Sequence, residues 1–210
     1  MTTPTARQTA LTYQIAALTL GYPDDALLAQ LPQLRAAAQT LPDEQGVALT
    51  TLVDHLASGS ATSLAADYVA LFDLRRRCCP YLTYFAHGDT RKRGVALVQF
   101  KSAYRRAGLE LSDEELPDHI CVVLEFAATA DLDAGRKLLL NHRAGLELLR
   151  LALRDAGSPY ALALSAVSAT LPRLRGDEHD AVARLAAEGP PAEEVGLEPF
   201  APPEYMGART

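Results

Sequence analysis

Apolar residues in this chain recur at steps of three and four, segment after segment, and Pro or Gly cuts most of the segments off. That spacing gathers the apolar side chains of a segment on one helical face, and such faces are buried by packing helix on helix. Leu11, Ile15 and Leu18 mark a first helix, stopped by Gly21-Tyr-Pro23. A second fits 24–38 and a third 43–57, each opened by a Pro-Asp pair. Leu64, Tyr68, Leu71 and Phe72 predict a fourth over 61–73. Asp89 or Thr90 caps a helix to Ala107 with Val95, Leu97, Val98, Phe100 and Tyr104 as apolar contacts, and Gly108 follows in the C-terminal capping position. Ser112-Asp-Glu-Glu115 has capping-box spacing, and Pro117 suits the first turn of a helix that buries Ile120, Val123, Leu124 and Ala127. Asp131 or Asp133 opens a long helix to Ala156, with Leu139, Leu146, Leu149 and Leu153 on one stripe. Gly157-Ser158-Pro159 reads as C-cap, N-cap and first helical residue of a segment carrying Tyr160, Ala163, Val167 and Leu171, and Asp177 to Ala187 makes a last helix. No run alternates apolar and polar residues between turn signals, and nothing repeats at a fixed period. The expected fold is all-α, a single compact multi-helix domain over 1–188.

Composition supports a folded domain. With 210 residues, 49% of them hydrophobic and 22% charged, the chain can bury a core without staples. Three cysteines, two of them adjacent at Cys78 and Cys79 and the third at Cys121, make no disulfide framework. No apolar run approaches the roughly 20 residues of a membrane span, and the first residues lack a signal-peptide pattern. A cytoplasmic protein without membrane insertion is expected.

The net charge of −6 is unevenly spread. Asp73 to Arg106 holds nine Lys or Arg against two Asp, whereas Asp177 to Thr210 holds eight acids against two arginines. Residues 189–210 are acidic and Pro-rich with few large apolar side chains, so a disordered tail is expected there. The basic stretch interleaves aromatics, a pattern that can bind nucleic acid. It carries no recognition module, however, and Arg91, Lys101 and Arg105 fall on a solvated helix face. No nucleic-acid partner is expected.

Catalytic motifs are absent. There is no phosphate loop, no Gly-x-Ser-x-Gly elbow and no His-Glu-x-x-His, and the five histidines are scattered. Adjacent cysteines do not chelate one metal as a Cys-x-x-Cys pair does. The most unusual local cluster is Glu114-Glu115-Leu116-Pro117-Asp118-His119. Asp118 can cap the following helix through its dipole, or the carboxylates of Glu114, Glu115 and Asp118 can hold cations and amide donors of a partner. Glu115, Asp118 and His119 also have the groups for acid–base work. The dipole and the carboxylates pull the His119 proton affinity in opposite directions, so its sign stays open. Protonation of His119 between about pH 5 and 7 is expected to change affinity for a bound partner.

Several blocks then occur in order: Tyr68-Val-x-Leu-Phe-Asp73, Arg75-Arg76, Tyr81-Leu-Thr-Tyr-Phe85, Gly88-Asp-Thr-Arg-x-Arg-Gly94, Glu115-Leu-Pro-Asp-His119 and Val123-Leu-Glu-Phe-Ala127. This set resembles the delta-subunit chaperones of respiratory nitrate reductase, the NarJ family, within the wider TorD and DmsD group of redox-enzyme maturation proteins. The likeness spans roughly 10–175 and is densest over 68–127; Cys78-Cys79-Pro80 departs from the family pattern.

The resemblance implies an all-helical chaperone with no enzymatic activity and no stably bound cofactor. Its partner would be the catalytic (alpha) subunit of nitrate reductase, held by its N-terminal segment while the molybdenum cofactor is inserted, and it would not stay in the finished enzyme. The family's loop falls on Glu115, Pro117, Asp118 and His119. A groove between helices can take an amphipathic client helix, and Tyr81, Tyr84, Phe85, Tyr104 and Arg105 are candidates for its wall. The alternatives are a helical adaptor for another client, or an acid–base enzyme built on Glu115, Asp118 and His119.

Overall fold

A computed structural model describes residues 4–88, 90–112 and 115–188, and among them there are helices and no strand. The helices are α1 (Ala6–Thr19), α2 (Asp25–Ala38), α3 (Asp43–Ser58), α4 (Ala61–Tyr68), α5 (Tyr84–His87), α6 (Arg91–Arg106), α7 (Ile120–Thr129), α8 (Leu132–Asn141), α9 (Arg143–Asp155), α10 (Ala161–Ala169) and α11 (Gly176–Glu188). The expected tail 189–210, the capping role of Asp89 and the partner-holding role of Glu114 lie outside the described residues.

Local chemistry explains most boundaries. Thr5 and Gln8 form a reciprocal capping box at α1, while Asp24, Ser60 and Asp131 accept the third backbone N–H of α2, α4 and α8. Gly108 and Gly157 follow α6 and α9 with φ of 78° and 67°, a left-handed turn that glycine adopts without a Cβ clash. α1 lies mainly against α7, α3 is packed between α2 and α10, α7 also carries α8, and α9 meets α10 and α11. Tyr68, Phe72 and Tyr160 form an aromatic knot in the core, with ring centroids 4.6–5.9 Å apart. The Tyr68 hydroxyl donates to the Leu20 carbonyl.

Five expectations need correction. The segment 61–73 is not one α-helix: after Tyr68 it widens into a π-helical turn at Val69–Asp73, followed by a 3-10 turn at Arg76–Cys78. The expected helix 131–156 is two, broken at His142, whose ring stacks on Phe100 at 4.7 Å. The leucine stripe continues across the break, which is why periodicity did not reveal it. In α6 the buried stripe is Ala96, Phe100, Ala103 and Tyr104, while Val95 and Val98 are 72% and 59% exposed. Finally, Pro117 and Asp118 stand before α7, not in its first turn, and Pro159 and Tyr160 form a turn ahead of α10.

Two glycines allow close backbone packing. A Cβ on Gly135 would collide with Ala127, and one on Gly145 would collide with the Leu82 carbonyl. The second contact seats the start of α9 against the irregular segment that precedes α5.

Candidate functional site

The motif blocks at 81–94 and 115–119 are far apart in sequence and meet in one network. The Leu82 N–H donates to the Asp118 carbonyl at 3.1 Å, and the Ile120 N–H donates to the Pro80 carbonyl at 2.9 Å. These two bonds make an isolated antiparallel bridge between Tyr81 and His119, with their rings edge-to-face at 5.2 Å.

Asp118 lies beneath this bridge and is fully buried. Its Oδ2 accepts from the Thr83 hydroxyl at 2.6 Å and from the Thr83 N–H at 3.1 Å. Arg93 Nη2, with a side chain only 12% exposed, stands 3.5 Å from both carboxylate oxygens. The same guanidinium donates through Nε to Thr83 Oγ1 and lies 5.0 Å over the Tyr81 ring. Tyr81 in turn donates its hydroxyl to Glu115 Oε1 at 3.0 Å, and that oxygen also accepts the Leu116 N–H. Tyr104 closes the far side by donating to the Pro117 carbonyl at 2.6 Å.

The dipole-cap reading of Asp118 is therefore corrected. Asp118 ties one loop to another, and the N-cap of α7 is His119, whose Nδ1 accepts from the Cys121 N–H. Burial pushes the His119 pKa below the usual histidine range, against the opposing pull of Glu115 and Asp118. That settles the sign left open by the sequence: the neutral ring is favoured, as its acceptor role requires.

The candidate residues divide by access. Pro117, Asp118, His119, Tyr84 and Tyr104 are buried, and so is Phe85. Tyr81 and Glu115 are half-buried, and Arg105 and Leu116 are exposed. Tyr81, Tyr104, Glu115, Pro117, Asp118 and His119 come together in the network, whereas among the described residues no hydrogen bond or ion pair ties Arg105 to it. Tyr84 packs on Phe85 with ring centroids 5.9 Å apart. Glu115 Oε2 receives no hydrogen bond among the described residues, so this carboxylate keeps an open acceptor beside the exposed Leu116.

Sequence reasoning did not select Thr83 and Arg93, although both stand in the quoted blocks. Two cations beside Arg93 are solvated, and nothing local distinguishes the one that turns inward. It also missed a second buried carboxylate, Glu147, clamped by Arg143 and Arg150 on its own helix. Spacings of four and three residues were a visible signal for that clamp.

Asp118, one of the two carboxylates in the acid–base reading, is sealed and engaged. Burial raises the Cys78 thiol and pushes Cys121 up to about 12, far from thiolate character. Among the described residues no three His, Cys, Asp or Glu cluster as metal ligands, and no helix is long and apolar enough to cross a membrane.

Comparison with known proteins places the chain. Residues 38–166 match the nitrate reductase delta subunit family. The chain is 32% identical over 165 residues to the probable nitrate reductase molybdenum cofactor assembly chaperone NarJ of Bacillus subtilis, covering 78% of this chain and 90% of that one. It is 33% identical over 146 residues to the nitrate reductase molybdenum cofactor assembly chaperone NarJ of Escherichia coli, covering 68% and 62%. The nitrate reductase-like protein NarX of Mycobacterium tuberculosis is 39% identical over 161 residues, which are 75% of this chain; the chain spans only 24% of that larger relative. A solved structure of a redox enzyme maturation protein from Archaeoglobus fulgidus superimposes with a TM-score of 0.57 at 25% identity, covering 76% of this chain and 91% of the other. The matched span encloses every residue of the network, and the chain belongs to the nitrate reductase delta subunit family.

Proposed function

We propose that this chain is a nitrate reductase assembly chaperone that binds the N-terminal segment of the apo catalytic (alpha) subunit. It holds that subunit for molybdenum cofactor insertion in the cytoplasm, keeps no cofactor of its own and leaves the finished enzyme. The observation that carries the reading is the family match over 38–166, whose relatives include named molybdenum cofactor assembly chaperones. The geometry adds a division of labour. Asp118, Thr83, Arg93, Pro117 and Tyr104 stiffen the loop from beneath. Glu115, Tyr81, Leu116 and Arg105 meet the client, with the open Glu115 oxygen taking a cation or N–H donor.

Calorimetric titration with a peptide of the catalytic subunit's N-terminus, against a scrambled peptide, tests this. The native peptide is expected to bind and the scrambled one not. Glu115→Ala should cost about 1.5–3 kcal/mol, the range of a hydrogen bond to a charged group, with the helical signal unchanged. Arg105→Ala should weaken binding less. Equal binding of both peptides would overturn the client assignment, and full affinity in Glu115→Ala would take the loop out of the contact.

A further inference from the structure

Helix α6 is the most cationic of the described helices. It carries six Lys or Arg and no Asp or Glu. Arg93 turns inward to Asp118. The other five, Arg91, Lys92, Lys101, Arg105 and Arg106, are exposed and make no hydrogen bond or ion pair among the described residues. Helical spacing puts Arg91, Val95, Val98 and Arg105 on one outer face, opposite the buried Phe100 and Tyr104. Both valines on that face are open to solvent, and Lys92 and Lys101 flank them on either side. The apolar strip continues past the helix end in the exposed Leu109 and Leu116. Tyr104 holds both nearby: its carbonyl accepts the Leu109 N–H, and its hydroxyl donates to Pro117, the neighbour of Leu116. Valines rimmed by unpaired cations suit an acidic segment with apolar side chains between its acids.

We propose that the chain's own residues 189–210 dock on this outer face of α6, and that the client segment displaces them at its C-terminal end, where Arg105 and Leu116 stand. The displacement rests on the client contact assigned to the loop; the docking does not.

Charge complementarity is the first argument. Residues 189–210 hold Glu193, Glu194, Glu198 and Glu204 against Arg209 alone. Val195, Leu197 and Phe200 stand among those acids, as Val95 and Val98 stand among the cations of α6. Chain length is the second. α11 ends at Glu188 and packs on α9, α9 also meets α5, and α6 begins three residues after α5. The 22 residues from 189 to 210 span up to about 70 Å fully extended, against roughly 40 Å across a folded domain of this size. The tether sets an effective concentration on the order of millimolar, so individually weak surface ion pairs suffice to hold the segment in place.

The chain has three lysines, which supply both target and control. Lys92 and Lys101 lie on α6, and Lys137, also exposed, lies on α8. The test is carbodiimide cross-linking of the full chain, which joins a glutamate to a lysine in direct contact, mapped by mass spectrometry. Glu193, Glu194, Glu198 or Glu204 should join Lys92 or Lys101 of the same chain about tenfold more than Lys137, and less at about 1 M salt, where screening acts over about 3 Å. Arg91→Glu with Arg106→Glu breaks no ion pair, so the helical signal should be kept while most of the α6 yield is lost. Yields equal at the three lysines, or indifferent to that double variant, would overturn the docking. So would products that join two chains, which give the face to a second copy. Retention on phosphatidylglycerol vesicles without a tail cross-link would likewise overturn it and give the face to an anionic membrane surface. Saturating client peptide should lower the Lys101 yield severalfold. An unchanged yield with peptide bound in calorimetry would overturn the displacement and leave the client reading intact. A peptide that fails to bind would overturn the client reading, and the displacement with it, without touching the lysine pattern.

Discussion

Asp118 and Glu147 are both sealed carboxylates beside arginines, yet they are held in opposite ways. Asp118 draws its short hydrogen bonds from Thr83, a residue 35 positions earlier, and Arg93 stands at 3.5 Å. Glu147 is gripped at 2.7–2.9 Å by arginines of its own helix. The first carboxylate joins two irregular segments that have no regular ladder of their own. The second decorates a helix that already exists and borders an open cavity. A charge that closes a tertiary contact between loops has few ways to relax, whereas a charge on a helix wall beside open space has several.

The largest expected effect follows from that asymmetry. Asp118→Ala should destabilise by about 3–5 kcal/mol, because it strands the Thr83 donors and the Arg93 guanidinium in a buried site. Glu147→Ala should cost less, about 2–3 kcal/mol, since Arg150 can turn toward water in the cavity. Urea denaturation of both variants checks this, and an equal or reversed order would break the comparison.

Gly145 links the two regions, because it seats α9 against the Leu82 carbonyl next to Thr83. Gly145→Ala should cost about 1–3 kcal/mol by overpacking. Its cost should be non-additive with Asp118→Ala, because both act on the segment 82–83. Additive losses in a double-mutant cycle would show that the regions are mechanically independent.

Tyr104→Phe removes a single neutral hydrogen bond to the Pro117 carbonyl and should cost about 1 kcal/mol, read as a small drop in the urea midpoint.

The smallest effect is a pH dependence. Burial lowers the pKa of His119 and of His142 below the ordinary histidine value, so the native protein binds these protons less readily than the unfolded chain. Below about pH 6.5 the unfolded state holds more protons, and stability falls as pH drops from 7 toward 5. His142 stacks on Phe100, and its Nε2 is sealed without a hydrogen-bond partner. His142→Phe should therefore keep the packing and flatten part of the decline, whereas an unchanged slope in denaturation at pH 5 and 7 would take His142 out of it.

The helices were legible in the sequence because their causes are local. Apolar steps of three and four, the Asp24 and Asp131 caps, and Gly108 and Gly157 all act within a few residues. The family blocks were legible too, and they marked the region of the site. What each residue does there was not. Asp118 looked like a helix cap because its neighbours in sequence are a proline and a helix, but its partner Thr83 is brought to it only by folding. Nothing in the sequence separated Arg93 from Arg91 and Lys92, and Val95 and Val98 looked like core, because a helix face is buried only where another element covers it. The break at His142 was hidden by a leucine stripe that continues through it. Helix identity is set by interactions across one or two turns, which the order of residues records directly. Burial, partner choice and the sign of a pKa shift depend on contacts made across tens of residues, and those exist only once the chain has packed.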